Sequence, residues 1–514
     1  MAENMGKNRG MLFFLFAAIL LMILPISSDS LWIDEGVTAW FASQGTFKDL
    51  LDALKTTSMA ESLMPGYVIY MWVWVKAFGI SEYSLRLSNL PFIITVLFLF
   101  TKIPLNRVFK NTLILLTVFS PFLWFYMNEA RSYISLFSFS TTSIVGLLFY
   151  FYGESKLQKI GPYLTLLSLL IGSFFNISLG FVVFALIPTA FFIYRETKNK
   201  REYYLIDWKI PIIFSIPFFV VLGSYFYMTV AAGSGGRLQE GTGGPIFKHV
   251  VFCFYEFLGF AGLGPPRIFI REYPSFSTFT SYMPLLCTAA ALMSFILFYI
   301  IISYKKNDMS SRLLKNSYLC GFLAGFLSFF IFALAKNFTF YGRHVIFLYP
   351  FFIFAITYMV NEIWEKKYLL MLRYVLIASL LLILLVSGLQ LRFSPKYFKD
   401  DYRAAVSGAL LLGDNDDPIF WAADPYTGAY YGLEFYDTDF KWPFKIKTVR
   451  KVYYAANWSI KKISERIGSI ESYILVLSKN DLYDRMNGWS TFISAHPPAK
   501  KTNYNAFNVY KFER

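Results

Sequence analysis

The segment MLFFLFAAILLMILPISSDSLWIDEGVTAW (11–40) joins a long apolar run directly to two adjacent carboxylates, Asp34 and Glu35. The apolar part, 11–26, is close to the length that a membrane-spanning helix needs, and basic residues precede it. Basic residues mark the cytoplasmic end of a span, so we expect the amino terminus inside and the acidic pair just beyond the outer surface. The segment therefore predicts a membrane protein with an acidic loop at its outer interface.

The composition of the chain agrees with several membrane crossings. Of its 514 residues, 56% are hydrophobic, 20% are aromatic and 16% are charged, whereas soluble domains have about 25% charged residues. The net charge of +15 comes largely from short connectors between apolar runs, a pattern typical of membrane proteins and not of nucleic-acid binding. Cys253, Cys287 and Cys320 lie in or near apolar segments, with neither metal-ligand spacing nor a disulfide framework.

Hydropathy and charge together predict about eleven spans. The expected runs are 11–26, 88–104, 111–127, 132–152, 160–176, 178–194, 208–230, 279–303, 316–335, 344–362 and 368–392. The basic connectors LNRVFK, ESKLQK, YRETKNKREYY, YKKNDMSSRLLKN and EKKYLLMLR then all fall inside. The aromatic segment MPGYVIYMWVWVKAFG (64–79) would invert this pattern if it crossed, so we expect a helix in the outer interface.

The chain is predicted to have two domains. Residues 1–392 form an all-α polytopic membrane domain with outer loops at 27–87 and 231–278, and the latter loop has a short apolar stretch at 246–263. In residues 393–514 helical and strand patterns alternate. DYRAAVSGALLLG and ISERIGSIE are typical of helices, and DPIFWAA, YILVLSK and NAFNVYKF of strands. We therefore expect a small extracytoplasmic α/β domain at the carboxyl terminus.

The acidic pair Asp34 and Glu35 has two interpretations. Both carboxylates could be solvated loop residues, because a charge costs about 2.5–3.5 kcal/mol only near the bilayer centre. Alternatively, one of them serves a reaction. Neighbouring residues on a helix or strand point in different directions, so the other acid would then orient the loop or bind an ion.

The segment SPFLWFYMNEARSY (120–133) places Glu129 and Arg131 between two apolar runs on the same outer side. The structural interpretation is a tight polar turn. The functional interpretation is an arginine beside an anionic lipid group, with Glu129 orienting its guanidinium.

The segment KNFTFYGRHVIFLYP (336–350) places Lys336, Arg343 and His344 at the outer start of a span, where the positive-inside rule does not predict basic residues. Interfacial snorkelling is the structural alternative. Arg86 is a weaker candidate on the same side. Further outer-loop cations are Arg237, Lys248, Arg267 and Arg271.

Acids and arginines at one interface suit a substrate with a phosphate at the head of a lipid. Arginine matches phosphate oxygens in a bidentate manner. A hydroxyl that attacks an anomeric carbon needs a carboxylate to take its proton, and a phosphate leaving group needs fixed positive charge. The chain has no GxxxxGK[ST] motif for a nucleotide, and a lipid-phosphate donor would need none.

Several motifs occur in a fixed order: W-x-D-E-G after the first span, a Pro-Gly-Tyr interfacial segment, FGISEYSLRLSNLPF, SPFLWFYMNEARSY and YGRHVIFLYP. This set resembles the GT-C membrane glycosyltransferases of the protein O-mannosyltransferase and lipid A aminoarabinose transferase superfamily, especially the bacterial RgtA-like group. The resemblance is strongest across 1–150 and around 336–355, and it is weak through 155–335.

The resemblance implies a polyprenyl-phosphate sugar donor and transfer at the outer face of a bacterial inner membrane. It also implies that Asp34 is the base or lies at the reaction centre and that Glu35 matches the second acid of the family's pair. Arg131 and Arg343 match basic positions expected near the lipid phosphate. The amino terminus is then cytoplasmic and the carboxyl-terminal domain periplasmic.

The chain departs from the family at Met64-Pro65-Gly66, where many relatives carry His-Pro-Pro. A metal site that uses this histidine is not expected here. A divalent metal bound by carboxylates, with Asp34 and Glu61 as ligands, is an open alternative.

The sequence thus predicts an inverting glycosyltransferase that moves a sugar to a hydroxyl of lipid A, another glycolipid, a glycan or a protein. The expected partners are the donor lipid, this acceptor and membrane lipids, with no nucleic acid. The alternatives are a ligase that transfers a whole glycan from a pyrophosphate-linked donor, a transporter or flippase, and a non-catalytic scaffold. Transport is disfavoured because few ionisable residues lie mid-span.

Overall fold

The structure is a computed structural model that describes residues 2–57, 60–198, 247–266, 277–291, 316–364, 370–414, 416–437 and 450–513, with isolated positions between these ranges. Much of the predicted runs 208–230 and 279–303 lies outside the described residues. Three of the outer-loop cations, Arg237, Arg267 and Arg271, also lie outside them. The number of spans therefore stays a prediction.

The described residues pack into two compact units. The helical unit comprises 1–26, 54–68 and 86–397, and the α/β unit comprises 27–53, 69–85 and 398–514. Two stretches from the predicted outer loop therefore fold with the carboxyl-terminal residues. Glu82 ties one of these stretches in place, because its Oε1 accepts hydrogen bonds from Arg403 at 2.5 Å and from the Tyr431 hydroxyl at 3.1 Å.

The described part of the chain up to residue 393 is helical. In order, its helices are α1 (Ala2–Ile23), α2 (Ile33–Ala42), α3 (Phe47–Thr56), α4 (Pro65–Phe78), α5 (Glu82–Leu87), α6 (Leu90–Lys102), α7 (Arg107–Val118), α8 (Pro121–Met127), α9 (Tyr133–Tyr152), α10 (Ser155–Phe175), α11 (Val182–Thr197), α12 (Phe247–Phe257), α13 (Ser277–Thr280), α14 (Ser317–Ala335), α15 (Tyr349–Trp364) and α16 (Leu370–Phe393). Short 3₁₀ helices lie at Ala60–Leu63, Ile177–Phe181, Phe260–Gly262, Gly342–Leu348 and Pro395–Tyr397.

Among the described residues, five helices are long and apolar enough to cross a membrane. Two of them are α9 (Tyr133–Tyr152) and α14 (Ser317–Ala335). The other three each join two consecutive helical elements: α5 with α6 (Glu82–Lys102), a 3₁₀ helix with α11 (Ile177–Thr197), and a 3₁₀ helix with most of α15 (Gly342–Asn361). Each overlaps a predicted run, and the largest difference is at the first, which begins at Glu82 where the run was predicted to begin at 88. The chain is therefore an integral membrane protein, as its sequence predicts.

The predicted run 111–127 is not one straight helix, which corrects the sequence-based expectation. Helices α7 and α8 are bent by 55° relative to each other. The break occurs at Ser120 and Pro121, because proline has no backbone N–H to continue the hydrogen-bond ladder of α7. The Ser120 hydroxyl instead caps α8 by accepting from the Leu123 N–H at 3.1 Å. The pair forms a sixth span only if both helices are counted together.

Helix α9 lies at the centre of the helical unit. Of the apolar stretch of α9, 78% is buried inside the protein, compared with 33% of the apolar stretch of α14. It packs against α10 through two glycines: a Cβ on Gly146 would lie 2.7 Å from the Gly161 carbonyl oxygen, and a Cβ on Gly161 would lie 2.5 Å from that of Gly146. The two backbones are thus in direct contact, as small residues allow in membrane helices.

The α/β unit is built on a five-stranded sheet in the order β2-β1-β3-β5-β4. The strands are β1 (Ile419–Ala422), β2 (Val452–Tyr454), β3 (Ser472–Ser478), β4 (Lys500–Tyr504) and β5 (Phe507–Glu513). Strands β2, β1 and β3 are parallel, and β5 pairs antiparallel with both β3 and β4. The helices of this part are α17 (Tyr402–Leu412), α18 (Pro425–Tyr430), α19 (Ile460–Ile467), α20 (Asn480–Tyr483) and α21 (Gly488–Ala495).

The two faces of the sheet have separate apolar cores. Residues of α17 and α18 cover one face and pack on Trp421 and Ile474. Residues of α19 and α21 cover the other face and pack on Phe420 and Leu475. The two predicted helices and three predicted strands of this region are all present, so the predicted fold, an all-α membrane domain with a small α/β domain, is confirmed.

Candidate active site

Asp34 and Glu35 lie in the first turn of α2, where the helix dipole favours carboxylates. Glu35 is fully buried, and its Oε2 accepts a hydrogen bond from the Trp32 backbone N–H at 3.4 Å. Asp34 is only half-buried. As expected for adjacent helical residues, the two acids have different surroundings, and Glu35 stabilises the start of the helix that carries Asp34.

A lysine that the sequence does not single out faces Glu35. The Lys399 Nζ lies 3.6 Å from the Glu35 Oε2, and the lysine side chain is 13% exposed. The same ammonium group lies 5.9 Å from the centre of the Trp32 ring. Glu35 thus has a cationic neighbour at the start of α2, and only the folded chain reveals that Lys399 provides it.

Helix α2 rests on α18 of the same unit. A Cβ at Gly36 would lie 2.7 Å from the Thr427 Cβ, so the backbone of α2 touches the threonine directly. The Trp40 ring meets the Tyr426 ring edge-on with centroids 5.2 Å apart. Just before α2, the Leu31 N–H donates to the Tyr431 hydroxyl at 2.7 Å.

In the helical unit, Arg131 forms a buried ion pair with Glu61, whose side chain is 3% exposed. From the sequence, Glu129 was predicted to orient the guanidinium of Arg131, and Glu61 was proposed only as a metal ligand. Glu129 is also buried, and its carbonyl oxygen accepts from the Arg131 N–H at 2.8 Å. The guanidinium of Arg131 is therefore held by a carboxylate from the 3₁₀ helix at Ala60–Leu63, in addition to the turn around Glu129.

Other polar side chains fix the turn that carries Arg131. The Asn89 Nδ2 donates to the carbonyl oxygen of Glu129 at 2.7 Å. The Asn176 Nδ2 donates to the Ser132 hydroxyl at 2.9 Å, and that hydroxyl contacts the Met64 sulfur at 3.4 Å. Arg86, the weaker candidate, is fully buried.

The packing around Gly66 excludes the second proline of His-Pro-Pro at Met64-Pro65-Gly66. A Cβ on Gly66 would lie 2.6 Å from the Phe174 ring and 2.9 Å from the Phe174 carbonyl oxygen. Proline has a Cβ, so it does not fit at position 66 in this packing. Met64 in turn contributes its sulfur to the turn around Ser132.

Two of the basic residues in the segment 336–350, Arg343 and His344, lie in the 3₁₀ helix Gly342–Leu348. The Gly342 N–H donates to the Oε2 of Glu256 at 3.0 Å, and Glu256 is 1% exposed. This carboxylate on α12 therefore fixes the backbone next to Arg343, which is half-buried. Glu256 was not among the residues predicted from the sequence, although a lone acid in the apolar stretch 246–263 is a usable signal for a functional position.

The other two basic residues of that segment, His344 and Lys336, interact with groups close to them in the sequence. The His344 Nδ1 accepts from the Tyr341 N–H at 2.9 Å, and the His344 ring packs edge-on against Phe338. Lys336 is exposed at the end of α14, where a cation complements the helix dipole. These contacts favour the structural interpretation for His344 and Lys336.

The predicted site residues thus divide between the two units. Asp34 and Glu35 belong to the α/β unit. The remaining candidates belong to the helical unit; they are Glu61, Arg86, Glu129, Arg131, Lys336, Arg343 and His344. Among the residues that the structure describes, no three histidine, cysteine, aspartate or glutamate side chains are grouped so that they could bind a metal ion.

Comparison with known proteins identifies the fold. No protein-family model matches the chain, and no curated protein matches it in sequence. Among solved structures, ArnT from Cupriavidus metallidurans in the apo state is similar over 98% of both chains, with 9% identity and a TM-score of 0.53. The same ArnT bound to undecaprenyl phosphate is similar over 97% of both chains, with 10% identity and a TM-score of 0.51. The chain therefore has the ArnT fold, and the resemblance to GT-C proteins is confirmed at the level of the fold.

Proposed function

We propose that the protein is an inverting glycosyltransferase that moves a sugar from a polyprenyl phosphate to a hydroxyl acceptor at the outer face of the membrane. The observation that carries this proposal is the similarity to an ArnT structure with bound undecaprenyl phosphate over nearly the whole chain. The described residues also supply suitable chemical groups: a carboxylate at a helix start, one arginine, Arg131, paired with a buried acid, and a second, Arg343, next to a backbone N–H that donates to a buried acid.

In the proposed reaction, Asp34 takes the proton of the acceptor hydroxyl while the oxygen of that hydroxyl attacks the anomeric carbon. The bond between that carbon and the phosphate oxygen breaks, and the electron pair leaves with the lipid phosphate. Arg131 and Arg343 stabilise the negative charge that builds on the phosphate. Because attack and departure occur on opposite sides of the carbon, the configuration is inverted.

The neighbouring acids have supporting roles in this proposal. Glu61 orients the guanidinium of Arg131, and Glu256 fixes the backbone beside Arg343. Glu35, with Lys399, holds the start of α2. We place the protein in a bacterial inner membrane, with a periplasmic α/β unit and an envelope glycolipid, glycan or protein as the acceptor.

The Asp34→Asn variant tests the assignment of the base. Removal of a general base lowers a rate by about 10²–10⁴-fold, while asparagine has nearly the same shape and leaves the fold intact. Wild type and variant in nanodiscs are incubated with a panel of polyprenyl-phosphate sugars and an envelope extract as acceptor. Mass spectrometry follows loss of the intact donor.

Donor consumption by the wild type alone would establish the activity, name the sugar and support Asp34 as the base. Equal consumption by both proteins would remove Asp34 from that role. Consumption only of pyrophosphate-linked donors would identify a ligase that transfers a whole glycan instead.

A further inference from the structure

The acid helix α2 touches an aspartate network in the carboxyl-terminal part of the chain. Asp424 follows β1 and is 5% exposed. Its Oδ2 accepts hydrogen bonds from both the N–H and the hydroxyl of Thr427, each at 2.7 Å. Asp424 thereby caps α18 and fixes the side chain of Thr427.

Thr427 is the residue on which α2 rests. Thr427 packs against Gly36, which is two positions after Asp34 in α2. The two backbones approach so closely that any side chain at position 36 would displace Thr427. A shift of Thr427 therefore moves the first turn of α2, and the Asp34 carboxylate moves with it.

We propose that Asp424 is a positioning residue for Asp34, acting through Thr427 and Gly36. The contact chain stands on its own geometry, and its effect on turnover rests on the proposed role of Asp34. A displacement of about 1 Å in a reacting group can cost about 10²-fold in rate, so a rigid seat for α2 matters for catalysis. The carboxyl-terminal residues would thus be part of the reaction centre.

The surroundings of Asp424 agree with a rigid, desolvated seat. Burial raises the pKa of the Asp424 carboxyl to about 6; its hydrogen bonds from Thr427 oppose the rise, and the charge of Asp34 adds to it. The facing titratable groups are Asp34 on α2, Asp400 and Tyr402 around the start of α17, Tyr454 on β2, Lys479 after β3 and Tyr483 on α20. Lys479 is itself paired with Asp400 at 2.5 Å.

Asp424→Ala and Asp424→Asn together test the proposal. Alanine removes the acceptor for Thr427, so we expect kcat to fall on the order of 10²-fold with KM for the donor unchanged. Asparagine retains an acceptor oxygen, so kcat should stay within a few-fold of the wild type. Hydrogen exchange of the α2 amides should accelerate in the alanine variant and not in the asparagine variant.

Asp484→Ala is the matched control. Asp484 is fully buried in the same unit and accepts hydrogen bonds from the Trp489 N–H and from the N–H and hydroxyl of Ser490. Its removal therefore eliminates a similar set of hydrogen bonds. Its partner Trp489 packs on the sheet face opposite to α18. This variant should lose stability without changing exchange in α2 or kcat.

The Gly36→Ala variant tests the same contact between Gly36 and Thr427 by changing α2 instead of α18. Its Cβ would collide with Thr427, so it should reproduce the kcat loss, and Thr427→Gly in the same chain should restore part of it. Unchanged α2 exchange in both Asp424→Ala and Gly36→Ala would overturn the proposal, as would equal changes in Asp484→Ala. If the wild type transfers no sugar, the proposed function fails, and the exchange data alone decide the positioning claim.

Discussion

Burial of charge decides which candidate residues have defined partners. Arg131 and Glu61 are both removed from solvent and paired with each other. Glu35 is removed from solvent with Lys399 beside it. Such charges persist in a fold only when a counter-ion or hydrogen bonds compensate for lost solvation. Asp34 is only half-buried, which agrees with its proposed role as a base that meets a substrate.

Variants of the Glu61–Arg131 pair can distinguish its contribution to stability from its contribution to function. Glu61→Met should lower the thermal midpoint in detergent strongly, because removal of one partner of a buried pair costs about 3–5 kcal/mol. Replacement of both residues by methionine should recover much of that loss, while sugar transfer stays abolished. Thermal unfolding and donor consumption are measured side by side. A single variant as stable as the wild type would contradict the proposed importance of this pair.

Asp424 makes stability depend on pH. Burial raises the pKa of the Asp424 carboxyl from its ordinary value of 3.8 to about 6, so the folded state favours the protonated acid. The corresponding stabilisation, about 3 kcal/mol at 1.36 kcal/mol per pKa unit, is complete below about pH 4 and is lost as the pH rises to about 6.

The Asp424→Asn variant, which cannot ionise, should flatten this part of the profile. Thermal midpoints of both proteins between pH 4 and pH 7 provide the measurement. Parallel curves for the two proteins would show that another group titrates in this range.

At the scale of elements, the sequence predicts most helices and strands but not where they bend or dock. Long apolar runs define the spans, because a bilayer requires length and hydrophobicity. The break at Pro121 was missed, since the run 111–127 contains no charged residue and proline can also occur within membrane helices. Strand β2 has only three residues, and β4 is mostly exposed, so neither has a clear pattern.

The close approach at Gly66 predicts a specific sensitivity of α4. Gly66→Ala should destabilise the protein by about 1–3 kcal/mol, as is typical of overpacking, because its Cβ would overlap Phe174. Gly180→Ala is the matched control in the same unit, since nothing lies within 4 Å of its added Cβ. Thermal midpoints in the same detergent compare the two. Equal midpoints would show that α4 and α10 can separate at little cost.

At the scale of the whole molecule, the sequence predicts the class of fold, and the pairing of residues comes from the three-dimensional structure. The order of motifs along the chain was sufficient for the GT-C resemblance. The partners Lys399, Glu256 and Thr427 are far in sequence from the residues that they contact. Of the three, only Glu256 has a local signal, as a lone acid in an apolar stretch. Their contribution depends on long-range packing, which periodicity and charge counts do not encode.

The predicted orientation of the protein in the membrane has a direct test. With Cys253, Cys287 and Cys320 replaced by serine, a cysteine at Met486, which is 67% exposed, should react with a membrane-impermeant maleimide on intact spheroplasts. A cysteine at Asn8 should react only after the membrane is opened. Labelling in the reverse order would invert the topology and place the proposed chemistry on the cytoplasmic side.

The residues that contact the start of α2 lie far away in the sequence, and this distance has a consequence for biosynthesis. Leu31 and its partner Tyr431 are separated by 400 residues, so at about 5–20 residues per second the ribosome needs about 20–80 s to make the second after the first. During this interval the acid helix has left the ribosome, but the residues that support it do not yet exist. A chain that is released early therefore lacks the residues that support α2, so only complete copies could assemble the proposed reaction centre.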